Sequence, residues 1–230
     1  MKITLSFEKT ISSDVSIMVD VLRASTTITT ALDKFSQIIP CFSPEEAFKL
    51  KNETNGVIAG ERKGAKIEGF DMGNSPNAIN DFESEKEILI LTTSNGTRIL
   101  ENMESQVLIG CLNNAQSVAK AGLKIAESHI DLVMAGVWEK FAIEDYLACG
   151  EIIYEISKIC GDCEISEYAK SAILASRDYE SVKKAFYEST SGNKLKSLGY
   201  ENDIEYALSK NSTKNVGIYI DGTIKLINYK

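Results

Sequence analysis

Four arginines stand in a chain of 230 residues otherwise rich in lysine: Arg23, Arg62, Arg98 and Arg177. The first three each follow the end of an apolar run and sit in a dense polar segment. A guanidinium presents a planar fork of donors that fits a phosphate, sulfonate or carboxylate two bonds at a time, which an ammonium cannot do. The pattern therefore points to small anions, although structural ion pairs in a lysine-biased chain would produce the same count. In Val19-Asp20-Val21-Leu22-Arg23-Ala24-Ser25-Thr26-Thr27 an acid ends an apolar stretch, a costly position unless it pairs or binds a metal. An Asp20–Arg23 pair and a Ser25 helix cap explain the segment structurally. An oxyanion held by the N–H groups of a helix start, with Ser25 and Thr26 beside it, explains it chemically.

Three further segments carry similar chemistry. Residues 60–76, GERKGAKIEGFDMGNSP, form a glycine-punctuated loop after an apolar run, but the Gly-x-x-x-x-Gly-Lys-Ser/Thr spacing of a P-loop is absent. Glu61 and Asp71 there are candidate oxygen ligands for magnesium, and Asn74 and Ser75 are candidates for holding an oxyanion. Residues 91–98, LTTSNGTR, wedge Ser94, Asn95, Gly96 and Thr97 between a buried run and a helix; the reading is a phosphate cradle or an ordinary capped turn. Glu144 and Asp145 open a helix after Ala135-Gly136. They suit the helix dipole and equally suit a metal.

If the anion is a phosphate ester to be cleaved, several chemistries for cleaving it are excluded by what the chain lacks. There is no Cys-x-x-x-x-x-Arg loop and no Asp-x-Asp nucleophile, and the sole histidine, His129, reads as a capping or surface residue before a strand. What remains is Mg²⁺ held by Asp20, Glu61, Asp71, Glu144 and Asp145, with Arg23 and Arg62 clamping the phosphoryl group and Arg98 holding a second acidic group. Water activated at the metal and the Ser25 hydroxyl are both open as nucleophile.

The elements that must position these groups alternate. Met1 to Phe7 alternates as a strand does, and further strands are expected over Val15 to Leu22, Ile38 to Phe42, Val57 to Gly60, Ile88 to Thr93, Val107 to Ile109 and Leu132 to Val137. Helices are expected over Thr26 to Lys34, Pro44 to Lys51, Asn95 to Glu101, Asn113 to Ala126 and Ile143 to Lys158. Near-continuous apolar strands separated by helices indicate an α/β fold: a three-layer α/β/α arrangement around a mainly parallel or mixed sheet. In such sheets sites form at the carboxyl ends of strands. Beyond Cys160, helices are expected over Ser166 to Ser176, Tyr179 to Thr190 and Asp203 to Ser209. A hairpin then turns at Asp221-Gly222. With no linker in the chain, one domain over residues 1–230 is expected.

The net charge of −8 disfavours nucleic acid and polybasic membrane contacts, and no apolar run is long enough to span a bilayer. The expectation is a cytoplasmic protein, with a homo-oligomer left open, acting on a small anionic phosphate ester. Cys160-Gly161-Asp162-Cys163 is a lone CxxC from which neither a zinc nor a redox site is expected.

Together the stretches VDVLRASTTI, GERKGAKIEGFDMGNSP, TTSNGTRIL and AG followed by EDYLACG resemble the 2-phosphosulfolactate phosphatase family of coenzyme M biosynthesis. The resemblance spans residues 19–150 in order, and the second stretch is the most specific. It implies an α/β/α fold and Mg²⁺-dependent hydrolysis of 2-phosphosulfolactate to sulfolactate and phosphate. Such a substrate carries phosphate, sulfonate and carboxylate on three carbons. A phosphatase of another small acidic ester and a non-catalytic anion binder are the alternatives.

Overall fold

The computed structural model describes residues 1–100, 103–137 and 140–227, and the side chains of Thr97 and Arg98 lie outside the described set. The first half of the chain forms β1 (Lys2–Phe7), β2 (Val15–Val19), α1 (Ala24–Ala31), β3 (Gln37–Cys41), α2 (Pro44–Thr54), β4 (Val57–Arg62), β5 (Ala65–Lys66), α3 (Pro76–Asp81), β6 (Ile88–Thr92), α4 (Gly96–Leu100) and β7 (Gln106–Gly110). A 3-10 turn (Leu112–Asn114), α5 (Ala115–Ile125), β8 (His129–Met134), α6 (Ile143–Ile159) and β9 (Glu164–Ile165) follow. The chain then runs through α7 (Glu167–Ala175), α8 (Tyr179–Glu188), α9 (Thr190–Ser197) and α10 (Glu201–Ala207) to β10 (Gly217–Ile220) and β11 (Thr223–Leu226).

The strands join in one mixed sheet of order β5-β4-β6-β3-β11-β10-β7-β2-β8-β1-β9. Two parallel blocks, β4-β6-β3 and β7-β2-β8-β1-β9, flank the C-terminal hairpin, which pairs antiparallel with β3 on one side and β7 on the other. The α/β fold, the mixed sheet and the terminal hairpin match the sequence expectation. That the hairpin fills the middle of the sheet does not follow from its place at the end of the chain.

Side-chain alternation explains why both faces are covered. In β2, Ile17 and Val19 pack into an apolar cluster with α5, α6 and α7, while Met18 points the other way into a cluster with Ile28 of α1 and Ile79 of α3. β8 repeats the split, with Leu132 on the first face and Val133 on the second. In the other block, Val57 and Ala59 of β4 join the second cluster, and Ile58 packs with Ala47 of α2 and Phe70. Each fully buried aliphatic side chain stabilises the fold by roughly 1.5–3 kcal/mol relative to exposure.

Some element expectations need correction. The helix expected from Asn95 begins at Gly96, and Glu101 lies outside the described residues. The one expected from Asn113 opens as the 3-10 turn before α5. The helix expected over Tyr179 to Thr190 stops at Glu188. Ser189 adopts extended backbone (φ −61°, ψ 164°) and accepts the Gly192 N–H at 2.9 Å, so a new helix, α9, starts at Thr190. Cys160 and Cys163, the lone CxxC, are disulfide-bonded: α6 ends at Cys160, and the following turn returns Cys163 to a Cα–Cα separation of 5.7 Å, within disulfide range. Among the described residues no helix is long and apolar enough to cross a membrane.

Candidate active site

Residues leaving the carboxyl ends of β2, β4, β6 and β8 surround a cavity of about 320 Å³. Asp20, Leu22 and Arg23 come from β2, Glu61 and the Lys63-Gly64 turn from β4, Thr93, Ser94 and Asn95 from β6, and Val137 from the segment after β8. Asn74 and the first turns of α9 complete the wall. The volume lies at the small end of ligand pockets, suited to a compact polar molecule.

Asp20 and Glu61 form the acidic side, and both are buried, at 7% exposure each. Asp20 Oδ1 accepts the Ala24 N–H (3.2 Å) at the start of α1. Burial pushes the Asp20 carboxyl up to about 7; the Ala24 N–H opposes this, and the charges of Glu61 and Glu144 reinforce it. Glu61 Oε1 accepts from Ser94 N (2.7 Å) and Oε2 from Gly64 N (2.6 Å), so one carboxylate ties the β6 loop to the β4–β5 turn. Gly96 lets the β6 loop approach: a Cβ there would lie 2.6 Å from Ala24 Cβ and 2.9 Å from Asp20 Oδ2. Asn74 is 3% exposed, and its Oδ1 meets no hydrogen-bond partner among the described residues; neither does Ser94 Oγ.

Arg23 lines the cavity, and its charge is already matched. Nη1 donates to Asp203 Oδ2 (2.7 Å), Nη2 to Gly64 O (2.7 Å), and the guanidinium lies 4.7 Å from the Tyr200 ring centroid. Asp203, 2% exposed on α10, also accepts from Ser75 Oγ (2.7 Å) and Asn77 Nδ2 (2.8 Å). The sequence reading missed this hub, because an acid in the first turn of a helix needs no more explanation than the helix dipole. Lys63, Thr190, Ser191 and Lys194 were missed as well; α9 was not recognised as a separate helix, and a lysine carries no local mark of the cavity it borders.

Several sequence candidates lie around this cavity and not in its wall. Ser25, fully buried, accepts the Asp20 N–H at its Oγ (3.2 Å). Thr26 donates its hydroxyl to Val21 O (2.9 Å). Ser75 caps α3 by accepting the Ala78 N–H (3.1 Å). Arg62 donates to the carbonyls of Glu61 (2.7 Å) and Phe42 (2.8 Å) and to Thr92 Oγ1 (3.0 Å), binding strand ends together. Asp71 is held by Lys51 (2.8 Å) and Ile58 N (2.9 Å); burial works to raise its pKa, but the Ile58 N–H and Lys51 bring it below the ordinary carboxylate value.

Asp145 spends both oxygens on backbone, accepting from Val21 N (2.9 Å) and Gly136 N (3.0 Å). Burial, and after it the Asp20 and Glu144 charges, hold its carboxyl well above the ordinary range. Gly136 has φ +65°, a conformation glycine adopts without strain, and a Cβ there would lie 2.4 Å from Phe7. Glu144 is buried beside an adjoining cavity of about 250 Å³ that shares Val137 and Thr190 with the first. The candidate side chains of Thr97 and Arg98 are outside the described residues. His129 bonds Thr4 Oγ1 (2.8 Å) at the start of β8, and Arg177 pairs with Glu151, both apart from the cavity wall.

A family described as 2-phosphosulpholactate phosphatase matches residues 3–222. A 2-phosphosulfolactate phosphatase of Methanothermobacter thermautotrophicus is 45% identical over 227 residues, covering 99% of this chain and 96% of that protein. One from Methanocaldococcus jannaschii is 38% identical over 226 residues, 94% of each chain. A probable 2-phosphosulfolactate phosphatase of Clostridium beijerinckii is 33% identical over 223 residues, covering 94% and 93%. A match over nearly the whole chain, reaching well past the motifs around the cavity, leaves one conclusion: this chain belongs to the 2-phosphosulfolactate phosphatase family.

Proposed function

We propose that the chain hydrolyses 2-phosphosulfolactate to 3-sulfolactate and phosphate, in the cytoplasm and as a step of coenzyme M biosynthesis, with Mg²⁺ held at Asp20 and Glu61. The observation that carries this reading is the pair of buried carboxylates in one wall of the cavity, neither in an ion pair among the described residues. An anion binder gains nothing from them, because they repel its ligand. Burial, with the Glu61 and Glu144 charges added, lifts the Asp20 carboxyl to about 7, and a bound cation would favour its ionised form.

The donor set suits magnesium, a hard cation that takes one or two carboxylates and fills its remaining positions with water and substrate oxygens. Among the described residues no three His, Cys, Asp or Glu side chains group around one point. Asp20, Glu61 and the Asn74 Oδ1, without a partner among the described residues, offer three oxygens in one wall, an arrangement consistent with that habit. Bound Mg²⁺ supplies charge neutralisation for phosphoryl transfer. Asp71 and Asp145, both committed elsewhere, brace loops in this reading, and Glu144 acts on Asp20 through its charge.

In the reaction the bond between phosphorus and the substrate's C2 oxygen breaks, a bond from phosphorus to a water oxygen forms, and a proton passes to the departing alkoxide. Water is favoured over Ser25 as the nucleophile, since the Ser25 hydroxyl is fully buried against Asp20 N and absent from the cavity wall. Two of the five N–H donors of Arg23 are engaged, which leaves others for phosphoryl oxygens. The test is phosphate release from 2-phosphosulfolactate after EDTA treatment and again with Mg²⁺ restored. We expect loss and recovery. Full turnover in EDTA overturns the metal, and release only from other phosphorylated acids overturns the substrate.

A further inference from the structure

Leaving its lysines aside, the cavity carries more negative than positive charge. Asp20 and Glu61 contribute carboxylates, and Arg23, the one arginine of the wall among the described side chains, is neutralised by Asp203. An ester bearing phosphate and a second strong acid cannot be held there by Mg²⁺ alone without further cations to meet the second acid. Arg62, the other described arginine of the motif segments, is turned onto backbone carbonyls.

Two ammonium groups remain in the wall, those of Lys63 and Lys194, and neither is in a hydrogen bond or ion pair among the described residues. Both lysines are exposed residues on the rim of the cavity, and the backbone around them fixes where they sit. Arg62 pairs with Ala65 across a two-residue hairpin turn in which Lys63 (φ 55°) and Gly64 (φ 83°) both take left-handed backbone, the tight turn that suits twisted strands. The Gly64 N–H is anchored to Glu61 Oε2, which fixes the turn beside the acidic wall. Helix α9 packs on the same turn: a Cβ at Gly64 would lie 3.0 Å from Leu198 Cδ1 and 3.6 Å from Lys194 Cγ. Two segments far apart in sequence thus bring one unpaired cation each to the same cavity.

We propose that Lys63 and Lys194 are specificity-determining residues that bind the sulfonate of the substrate, one of its two acidic groups besides the phosphate, while the phosphoryl group lies toward Asp20 and Glu61. This rests on the phosphatase reading above. Unlike a guanidinium, an ammonium on a flexible stem imposes no planar geometry, which suits the three equivalent oxygens of a sulfonate.

The experiment compares Lys63→Asn, chosen because asparagine tolerates left-handed backbone, and Lys194→Met with the wild type on two substrates, 2-phosphosulfolactate and 2-phospholactate, which lacks the sulfonate. Each variant should raise KM for 2-phosphosulfolactate about tenfold, the value of one charge-assisted contact, with kcat held within about twofold. KM for 2-phospholactate should stay within about twofold of wild type. Equal KM changes on both substrates, unchanged KM on both, or a fall confined to kcat overturns the proposal. Calorimetric titration of 3-sulfolactate and of lactate into the same proteins separates this from the phosphatase reading. Sulfonate-dependent binding lost in the lysine variants supports the subsite even in a protein without turnover. Binding indifferent to the lysines overturns the subsite even in an active phosphatase.

Discussion

Replacing Asp20 by Asn should stabilise the metal-free protein while abolishing its activity. Burial and the charges around it lift the Asp20 carboxyl from an ordinary 3.8 to about 7. Between those values the folded state keeps a proton that the unfolded state has released, so stability falls as pH rises through the window. Above pH 7 the full penalty applies; at about 1.4 kcal/mol for each tenfold in proton affinity it comes to about 4 kcal/mol. Asparagine keeps the volume and an oxygen for the Ala24 N–H, and it carries no charge to desolvate. Relaxation of the neighbouring acids takes part of the gain, and we expect Asp20→Asn to exceed wild type by about 2–4 kcal/mol at pH 8 without metal. The advantage should shrink steadily toward pH 4. Mg²⁺ at about a hundred times its Kd should add about 2.7 kcal/mol to the wild type at pH 8 and almost nothing to the variant. Urea unfolding at pH 4, 6 and 8, with EDTA or MgCl₂, reads all of this, and phosphate release should fall by more than about 10²-fold. A variant less stable than wild type at pH 8 in EDTA, or one that keeps the full Mg²⁺ stabilisation, refutes the reasoning.

Asp203→Ala leaves the Arg23 guanidinium buried without its carboxylate and strips acceptors from Ser75 and Asn77; unfolding should show a loss of about 3–5 kcal/mol, and a loss below 1 would show the pair to be dispensable. Gly96→Ala drives a methyl into Ala24 and Asp20, so melting and kinetics should show about 1–3 kcal/mol of destabilisation and a kcat reduced by more than tenfold; wild-type values for both would mean that the loop yields freely. Ser25→Ala removes the hydroxyl that accepts the Asp20 N–H, a change of about 1–3 kcal/mol in stability; turnover should remain measurable, and trapping of a phosphorylated Ser25 in the wild type would assign the nucleophile to serine instead.

What the sequence determined by itself was local. Apolar runs ending in Asp20, Glu61 and Thr92 mark buried strands whose carboxyl ends open into polar loops, because side-chain periodicity and turn chemistry are properties of neighbouring residues. That rule brought Asp20, Arg23, Glu61, Asn74, Ser94 and Asn95 to one cavity. The tertiary structure decided which way each polar group faces. Asp71 and Arg62 sit in the same motif as Glu61, yet one turns to Lys51 and the other to backbone carbonyls, since a buried charge takes whatever partner the packing supplies. It also decided what arrives from far along the chain. Asp203 lies 180 residues beyond the arginine it neutralises. Lys194 reaches the cavity from α9, a separate helix capped by Ser189 that the expected helix over Tyr179 to Thr190 does not contain. The terminal hairpin enters mid-sheet for the same kind of reason: unpaired strand edges flanking the gap are satisfied by whichever strands can reach them, a condition set by the folded blocks and written in no local run of residues.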